Sequence, residues 1–199
     1  MTVDAIWNHN LHHHEVLLAA LPPGCRSVVD LGCGQGFLLP HLAARVAEVV
    51  GVDRHGPSLE EAATRTAHLP NVRLVAGDVM SLDLGQRFDA VLSVAVLHHL
   101  PLAAGLGRMK DLTEPGGVVG VIGLARSRSA GDLVRDGVGF VETRLRSLRR
   151  PQTMVTAPIC DPEPTYAEVR TAAEEVLPGV RFRRHNLFRY SLLWTRARP

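Results

Sequence analysis

Cysteine is scarce in this chain of 199 residues, which contains only Cys25, Cys33 and Cys160. No two of them form a C-x-x-C pair, so a disulfide framework is excluded and a reducing compartment is expected. Long apolar runs are missing as well, since none approaches the roughly 18 residues that a transmembrane helix needs. The first residues lack the basic and apolar regions of a secretory signal peptide. We therefore expect a cytoplasmic protein without a membrane partner.

A strong charge of either sign is also missing. The chain has 22 basic and 20 acidic residues, a net charge of +2 at neutral pH. This balance argues neither for nor against nucleic-acid binding. The basic excess is local, because residues 126–150 contain seven arginines against three acidic residues. That segment either recognises an anionic substrate group through bidentate arginine contacts or forms a solvated charged face.

The region from residue 24 to 124 alternates short β-branched runs with longer amphipathic segments. Leu38, Leu42 and Val46 share one helical face, and a similar spacing continues from Leu102 to Leu112. Because such alternation requires right-handed crossovers that cover both faces of a parallel sheet, we predict an α/β doubly wound fold. Five runs are predicted to be buried strands: Ser27–Leu31, Val49–Asp53, Val72–Val75, Phe88–Val94 and Val118–Leu124.

Local signals predict where the helices of this region begin and end. Ser58 and Glu61 have the spacing of a capping box after Gly56-Pro57, which predicts a helix start. Pro115-Gly116-Gly117 is predicted to end the later helix.

The C-terminal part is organised differently. Thr165 and Glu168 form a second capping-box pattern, followed by a helix that ends at Pro178-Gly179. Residues 180–185 and 189–195 read as two strands of a hairpin, which brings the predicted sheet to seven strands. We predict a single domain in four parts: an N-terminal lid helix at 1–22, a core at 24–124, a substrate-side insertion at 126–164, and a final helix with the hairpin at 165–199.

The most informative motif is Val28-Val29-Asp30-Leu31-Gly32-Cys33-Gly34-Gln35-Gly36, between a strand and a helix. Glycines here let the backbone turn tightly and approach a ligand closely. Dinucleotide-binding enzymes carry G-x-G-x-x-G at this place, but Gly36 comes one residue earlier than that pattern requires. Asp30 lies two residues before the first glycine, at the end of the predicted strand.

Two further acidic residues end or follow the next strands, Asp53 after the second and Asp78 after the third. Ligands of open α/β sheets bind at the carboxyl ends of the strands, so the three acidic residues are expected in one crevice. Such a crevice suits a ligand with an ammonium group, a ribose diol and an adenine amine, without phosphates. Taken alone, Asp30 is also compatible with a capping role and Asp53 with NAD binding.

At these residues the sequence resembles the class I S-adenosylmethionine-dependent methyltransferases, in particular the small bacterial enzymes that act on small molecules. The resemblance covers residues 24–124 and rests on D-L-G-C-G-Q-G, V-G-V-D, A-G-D-V, F-D-A-V-L-S, L-H-H-L and E-P-G-G. It implies a Rossmann-like, mostly parallel seven-stranded sheet that ends in an antiparallel hairpin. It also implies S-adenosyl-L-methionine as cofactor and S-adenosyl-L-homocysteine as product.

The same resemblance implies a role for each cofactor-binding residue. Asp30, Gly32 and Gly34 would hold the methionine end, and Asp53 would accept both ribose hydroxyls. The other implied cofactor contacts are Cys33 and Gly36 in the loop, Arg54, Asp78 and Val79 around the adenine, and the backbone of Ser93 and Val94 at the amino group. We interpret Cys33 as a small loop residue rather than a nucleophile.

Histidines occur at two places where they could serve methyl transfer. His98 and His99 follow the fourth strand, so they are candidates for lining the site or for a general base, unless one of them packs structurally. The N-terminal segment contains Trp7, His9, His12 and His13, which we interpret as a lid touching cofactor or substrate; a solvated polar helix is the alternative. His9 and His13 have a spacing that could bind metal, but no carboxylate supports it and no metal is expected.

Three functions remain open at this point. The first is methylation of a small-molecule acceptor in secondary metabolism, by a monomer or homodimer. The second, methylation of nucleic acid or protein, lacks support because Ser93-Val94-Ala95-Val96 replaces the N/D-P-P-Y/F motif and no basic module is added, so no nucleic-acid partner is expected. The third is a fold that binds the cofactor but catalyses another reaction, since function is decided in the acceptor pocket.

Overall fold

The computed structural model describes residues 13–128, 162–186 and 188–198. Its seven strands lie in one sheet with the order β3-β2-β1-β4-β5-β7-β6. The strands are β1 (Ser27–Leu31), β2 (Glu48–Asp53), β3 (Val72–Ala76), β4 (Phe88–Val94), β5 (Thr113–Gly123), β6 (Arg181–Arg184) and β7 (Tyr190–Thr195). The described helices are α1 (His14–Leu18), α2 (Leu39–Ala43), α3 (Gly56–Thr66), α4 (Leu102–Asp111) and α5 (Tyr166–Val176), with a 3-10 turn at Leu97–His99.

The pairing confirms the predicted α/β class. Strands β1 to β5 are parallel, whereas β7 runs antiparallel to β5, and β6 runs antiparallel to β7. Each face of the sheet is covered by its own apolar cluster, one reaching α1 and α2 and the other α4 and α5. Side chains of successive strand residues point to opposite faces, so Val28 and Val29 of β1 belong to different clusters. None of the described helices is long and apolar enough to span a membrane.

Two local expectations, about a strand and about a helix end, need correction. The strand at 72–76 is half-exposed rather than buried, because β3 forms an edge of the sheet. Pro115-Gly116-Gly117 does not end α4, which already ends at Asp111, but lies within β5. There Gly116 N donates to Arg196 O and Arg196 N to Gly117 O, both at 2.9 Å, so the segment continues the pairing beyond β7.

The proposed capping box of Ser58 and Glu61 is also wrong. Helix α3 begins at Gly56 with His55 as N-cap, and no side chain caps it. Ser58 is fully buried and its Oγ lies 2.8 Å from His55 Nδ1, whereas Glu61 accepts a hydrogen bond from Gln35. The Thr165–Glu168 box at α5 is confirmed, with both reciprocal hydrogen bonds present.

Helix α1 carries a buried histidine that links folding to pH. Burial, and then the nearby His41 and His13, lower the pKa of His14 to about 3 from 6.5. The unfolded chain therefore takes up a proton below pH 6.5 that the native state refuses, and stability is lost as the pH falls toward 3. At pH 5 the His14→Leu variant should avoid a penalty of about 2 kcal/mol that the parent pays.

Urea unfolding of both proteins at pH 5 and pH 8 measures this effect. The free energy of unfolding of the variant, relative to that of the parent, should be higher at pH 5 than at pH 8. His68→Leu, at an exposed position, is the control and should show no such change. An equal stability difference at the two pH values would show that His14 is not the group that titrates.

Candidate active site at the carboxyl ends of the strands

The glycine loop lies at the carboxyl end of β1 and is tied to β2. The backbone N–H groups of Gly32 and Cys33 both donate to Val52 O, at 2.7 and 2.9 Å. Gly32 has a φ of +76°, and a Cβ atom there would lie 2.2 Å from Val96 Cγ2. Gly34 has a φ of +53°, and apart from the adjoining residues no atom lies within 4 Å of where its Cβ would be. The loop therefore presents bare backbone to open space at Gly34, which allows a ligand to approach the chain closely there.

Helix α3 braces the far side of this loop. Gly36 packs so closely that an added Cβ would lie 2.8 Å from Ala62 Cβ. Arg65 Nε donates to Gln35 O at 3.0 Å, and the guanidinium lies 3.8 Å from the centre of the Phe37 ring. Sequence reasoning missed Arg65, because no spacing signal connects it to a loop 30 residues earlier.

Asp30 and Asp53 form the acidic side of the site. Asp30 is 2% exposed, and its Oδ1 is buried without a hydrogen-bond partner. Burial, followed by the negative charge of Asp53, raises the pKa of Asp30 to about 7. Asp53 is half-buried, and its two oxygens accept hydrogen bonds from Gly34 N at 2.7 Å and His55 N at 2.8 Å. Two neighbouring carboxylates, one of them incompletely bonded, are suited to a cationic, hydroxyl-bearing ligand.

Cys33 lies between these acidic residues and the core. Its side chain is buried, and its Sγ would lie 3.0 Å from a Cβ added at Gly51. Burial and the charges of Asp30 and Asp53 raise the pKa of the Cys33 thiol. A buried thiol that resists ionisation agrees with a packing role and not with a nucleophile.

Asp78 and Val79 lie farther along the same edge of the sheet, after β3. Asp78 is exposed, and its Oδ1 accepts from Met80 N at 2.9 Å. Val79 is buried in the core, and its carbonyl accepts from Arg108 Nε at 3.2 Å. Arg54 is exposed beyond the end of β2, and burial, followed by the charge of Arg54, lowers the pKa of the His99 imidazole.

The end of β4 is held against β1 by a side chain. Ser93 is buried, and its Oγ donates to Leu31 O at 2.9 Å. After Val94, Ala95 adopts a left-handed φ of +57° and donates its N–H to Ile122 O at 2.7 Å. This rarely adopted conformation leads the chain to Val96, which covers Gly32.

The histidines following β4 lie between the acidic residues and the C-terminal hairpin. The rings of His98 and His99 are 4.1 Å apart between centroids. His98 is half-buried, and burial, followed by His99 and Arg189, lowers the pKa of its imidazole to about 4, whereas His99 is exposed. Both therefore lie at the edge of the sheet where the sequence places them.

Of the four N-terminal residues that are expected to line the site, only His13 lies within the described residues. His13 is buried, with its ring centroid 4.9 Å from that of His185, so it contacts the hairpin turn. Trp7, His9 and His12 lie outside the described residues, as do the arginine-rich positions from 129 onward. In the part of the chain that the structure describes, no three His, Cys, Asp or Glu residues are grouped to hold a metal ion.

The sheet order, the open glycine loop and the carboxylates at the strand ends define a class of protein. The chain belongs to the class I S-adenosylmethionine-dependent methyltransferases, and the methyltransferase domain family matches residues 28–117. It is 34% identical to an uncharacterised methyltransferase of Mycobacterium tuberculosis, over 96% of this chain and 98% of that relative. It is 32% identical to a ubiquinone biosynthesis O-methyltransferase of Rhodopseudomonas palustris, over 57% of this chain and 46% of that enzyme.

Solved structures share the fold at lower identity. A methyltransferase of Aquifex aeolicus superposes with a TM-score of 0.62 at 18% identity, covering 92% of this chain and 88% of that one. The N-methyltransferase NodS of Bradyrhizobium japonicum, in complex with S-adenosylhomocysteine, superposes with a TM-score of 0.62 at 16% identity. The match covers 94% of this chain and 86% of NodS.

Proposed function

We propose that this methyltransferase methylates a small-molecule acceptor and binds S-adenosylmethionine at the acidic side of the site. The observation that carries the assignment of the site is Asp30, whose buried Oδ1 lacks a partner next to Asp53 and the open backbone at Gly34. A buried carboxylate without a partner is costly, and a ligand ammonium group would satisfy it. Asp53 would accept the ribose hydroxyls, since each of its oxygens can accept a second hydrogen bond.

The remaining proposed contacts follow the same edge. Asp78 and Val79 would face the adenine, with Arg54 beside them, and the backbone of Ser93 and Val94 would meet the amino group. The bound cofactor supplies a methyl group on a positively charged sulfur, which makes that carbon reactive without a metal or a redox step. The chain's own residues then have to orient the acceptor and exclude water.

Two observations support a small acceptor. The curated O-methyltransferase relative is named for ubiquinone biosynthesis, although this chain spans less than half of that enzyme. The chain also lacks the N/D-P-P-Y/F motif after β4, where Ser93-Val94-Ala95-Val96 stands. Methylation of a macromolecule is the alternative, and an experiment must distinguish it from methylation of a small molecule.

The first test is thermal unfolding with S-adenosylhomocysteine, with NAD as a parallel control. A ligand at 100 times its dissociation constant stabilises by about 2.7 kcal/mol, which raises Tm by several degrees. A shift with NAD alone would overturn the cofactor assignment. The second test supplies S-adenosylmethionine labelled in the methyl group to a cell extract separated by size; label in the large protein or RNA fraction would overturn the small acceptor.

Asp53→Ala tests the ribose assignment. Loss of charge-assisted hydrogen bonds should weaken S-adenosylhomocysteine binding by about 1.5–3 kcal/mol, measured by calorimetry. Asp83→Ala is a matched control, because Asp83 Oδ1 accepts from Gly85 N at 2.8 Å just as Asp53 Oδ1 accepts from His55 N at 2.8 Å. Unchanged affinity in the Asp53 variant would remove this residue from the site.

A further inference from the structure

The loop that contacts Asp53 contains two glycines with a left-handed backbone. Gly34 and Gly36 have φ values of +53° and +73°. Glycine has more backbone freedom to lose than any other residue, so a conformation built on two glycines needs contacts from outside the loop to fix it. Gln35 lies between them and is buried. The contacts of Gln35 therefore decide how rigid this part of the loop is.

Helix α3 supplies these contacts from two successive turns. Glu61 and Arg65 are four residues apart, so they share one face of the helix. Gln35 Nε2 donates to Glu61 Oε2 at 2.7 Å. Arg65 Nε donates to Gln35 O at 3.0 Å. The side chain and the backbone of Gln35 are thereby both held against α3.

The ring of Phe37 holds the guanidinium of Arg65 in place. The centre of the ring lies 3.8 Å from Arg65 Cζ, within the range of a cation–π contact. Arg65 is half-buried, and a hydrogen bond that is partly shielded from water is electrostatically stronger than an exposed one. Phe37 also occupies the place of the third glycine in the G-x-G-x-x-G pattern. The residue that departs from the dinucleotide pattern therefore supports Arg65.

The fixed loop in turn orients the carboxylate of Asp53. Gly34 N donates to Asp53 Oδ2 at 2.7 Å, and His55 N donates to Asp53 Oδ1 at 2.8 Å. The hydrogen bond from Gly34 requires that the loop keep this residue in its left-handed conformation. Arg65 can thus act on Asp53 through the loop, without touching a ligand.

We propose that Arg65 is a positioning residue for cofactor binding. By fixing Gln35 it keeps Gly34 bonded to Asp53, so that the Asp53 carboxylate is already oriented when the cofactor arrives. The inference rests on the proposed function, because it concerns the same site. A site that is ordered in advance binds more tightly, since less conformational entropy is lost on binding.

Substitution of Arg65 tests the effect on affinity. Arg65→Met removes the charge and the donors but keeps an unbranched side chain beside Phe37. It should weaken S-adenosylhomocysteine binding about tenfold in calorimetry, because the loop then has to be ordered when the ligand binds. Arg65→Lys keeps the charge and can donate to a single carbonyl, so it should bind more tightly than Arg65→Met.

The matched control is Arg196→Met. Arg196 Nη1 also donates to backbone carbonyls, those of Lys110 and Thr113, at 2.9 and 2.8 Å. Thr113 begins β5, so this contact lies at the end of the parallel strands opposite to the glycine loop. Arg196→Met should lower the stability of the protein without changing its affinity for S-adenosylhomocysteine, as a purely structural arginine would.

Amide exchange of Gly34 tests the mechanism in the absence of ligand. NMR of protein labelled with ¹⁵N-glycine follows the exchange of Gly34 relative to Gly51, which lies in the buried middle of β2 and reports on global opening. The Gly34 amide should be protected in the parent, because it donates to Asp53. Arg65→Met should accelerate its exchange at least about tenfold relative to Gly51, and Arg196→Met should not.

A double-mutant cycle with Asp53→Ala tests the route of the effect. If Arg65 acts through the carboxylate, Arg65→Met should weaken S-adenosylhomocysteine binding by less than about threefold once Asp53 is replaced. An arginine that affected binding by another route would cause the same fold-loss in both backgrounds.

Any of four results would overturn the proposal: unchanged affinity in Arg65→Met, an equal loss of affinity in Arg196→Met, unchanged exchange of Gly34 in Arg65→Met, or the same fold-loss with and without Asp53. Failure of the parent protein to bind S-adenosylhomocysteine is a different result, which contradicts the proposed function itself. The exchange of Gly34 in the cofactor-free protein is measured independently of that outcome.

Discussion

Asp30→Asn is expected to stabilise the cofactor-free protein above neutral pH and to weaken its cofactor binding. The pKa of Asp30 is raised from 3.8 to about 7, so the native state holds a proton in this interval that the unfolded chain releases. Stability is therefore lost as the pH rises from 3.8 toward 7, and the penalty is constant above that. Removing the charge should recover about 2–4 kcal/mol at pH 8.

The measurement is urea unfolding of parent and variant between pH 4 and pH 8. The stability gain should grow with pH and level off above pH 7, whereas a gain equal at pH 4 and pH 8 would contradict the titration of Asp30. Calorimetry should show S-adenosylhomocysteine binding weakened at least about tenfold, the cost of losing one charged hydrogen-bond partner. Asp83→Asn, at an exposed position, should change neither quantity.

Gly32→Ala is expected to destabilise the protein by about 3 kcal/mol, from left-handed strain and from overlap with a neighbour. The overlap arises because the new Cβ would lie 2.2 Å from Val96 Cγ2. Gly34→Ala is the matched control. Its φ of +53° imposes the same kind of strain, but apart from the adjoining residues no atom lies within 4 Å of the added Cβ. That variant should lose only about 1 kcal/mol.

A double-mutant cycle isolates the overlap. Val96→Ala combined with Gly32→Ala should recover about 1–2 kcal/mol relative to the sum of the single losses, because the shortened side chain leaves room for the new methyl group. Strictly additive losses would show that Val96 does not restrict position 32.

The fold could be predicted because its signals are local. Strands β1, β2 and β4 are Val-rich runs in which most residues are buried. Thr165 and Glu168 form a capping box within one helical turn. The prediction failed at two places, for different reasons. Ser58 has the spacing of a capping residue, but its hydroxyl is buried against His55 Nδ1. Val72–Ala76 is apolar apart from Arg73, but among the described strands β3 lies at the edge of the sheet, so its side chains are only partly buried.

The sequence by itself determined that Asp30, Asp53 and Asp78 end or follow adjacent parallel strands, because strand order in this fold class follows from short right-handed connections. Tertiary structure alone decided how they differ: Asp30 is buried with an unused oxygen, Asp53 is held by Gly34 and His55, and Asp78 is exposed. Likewise, only the folded chain places the charge of Arg189 near His98, 91 positions earlier. Burial and charge coupling depend on contacts between residues far apart in sequence, and no local pattern encodes them.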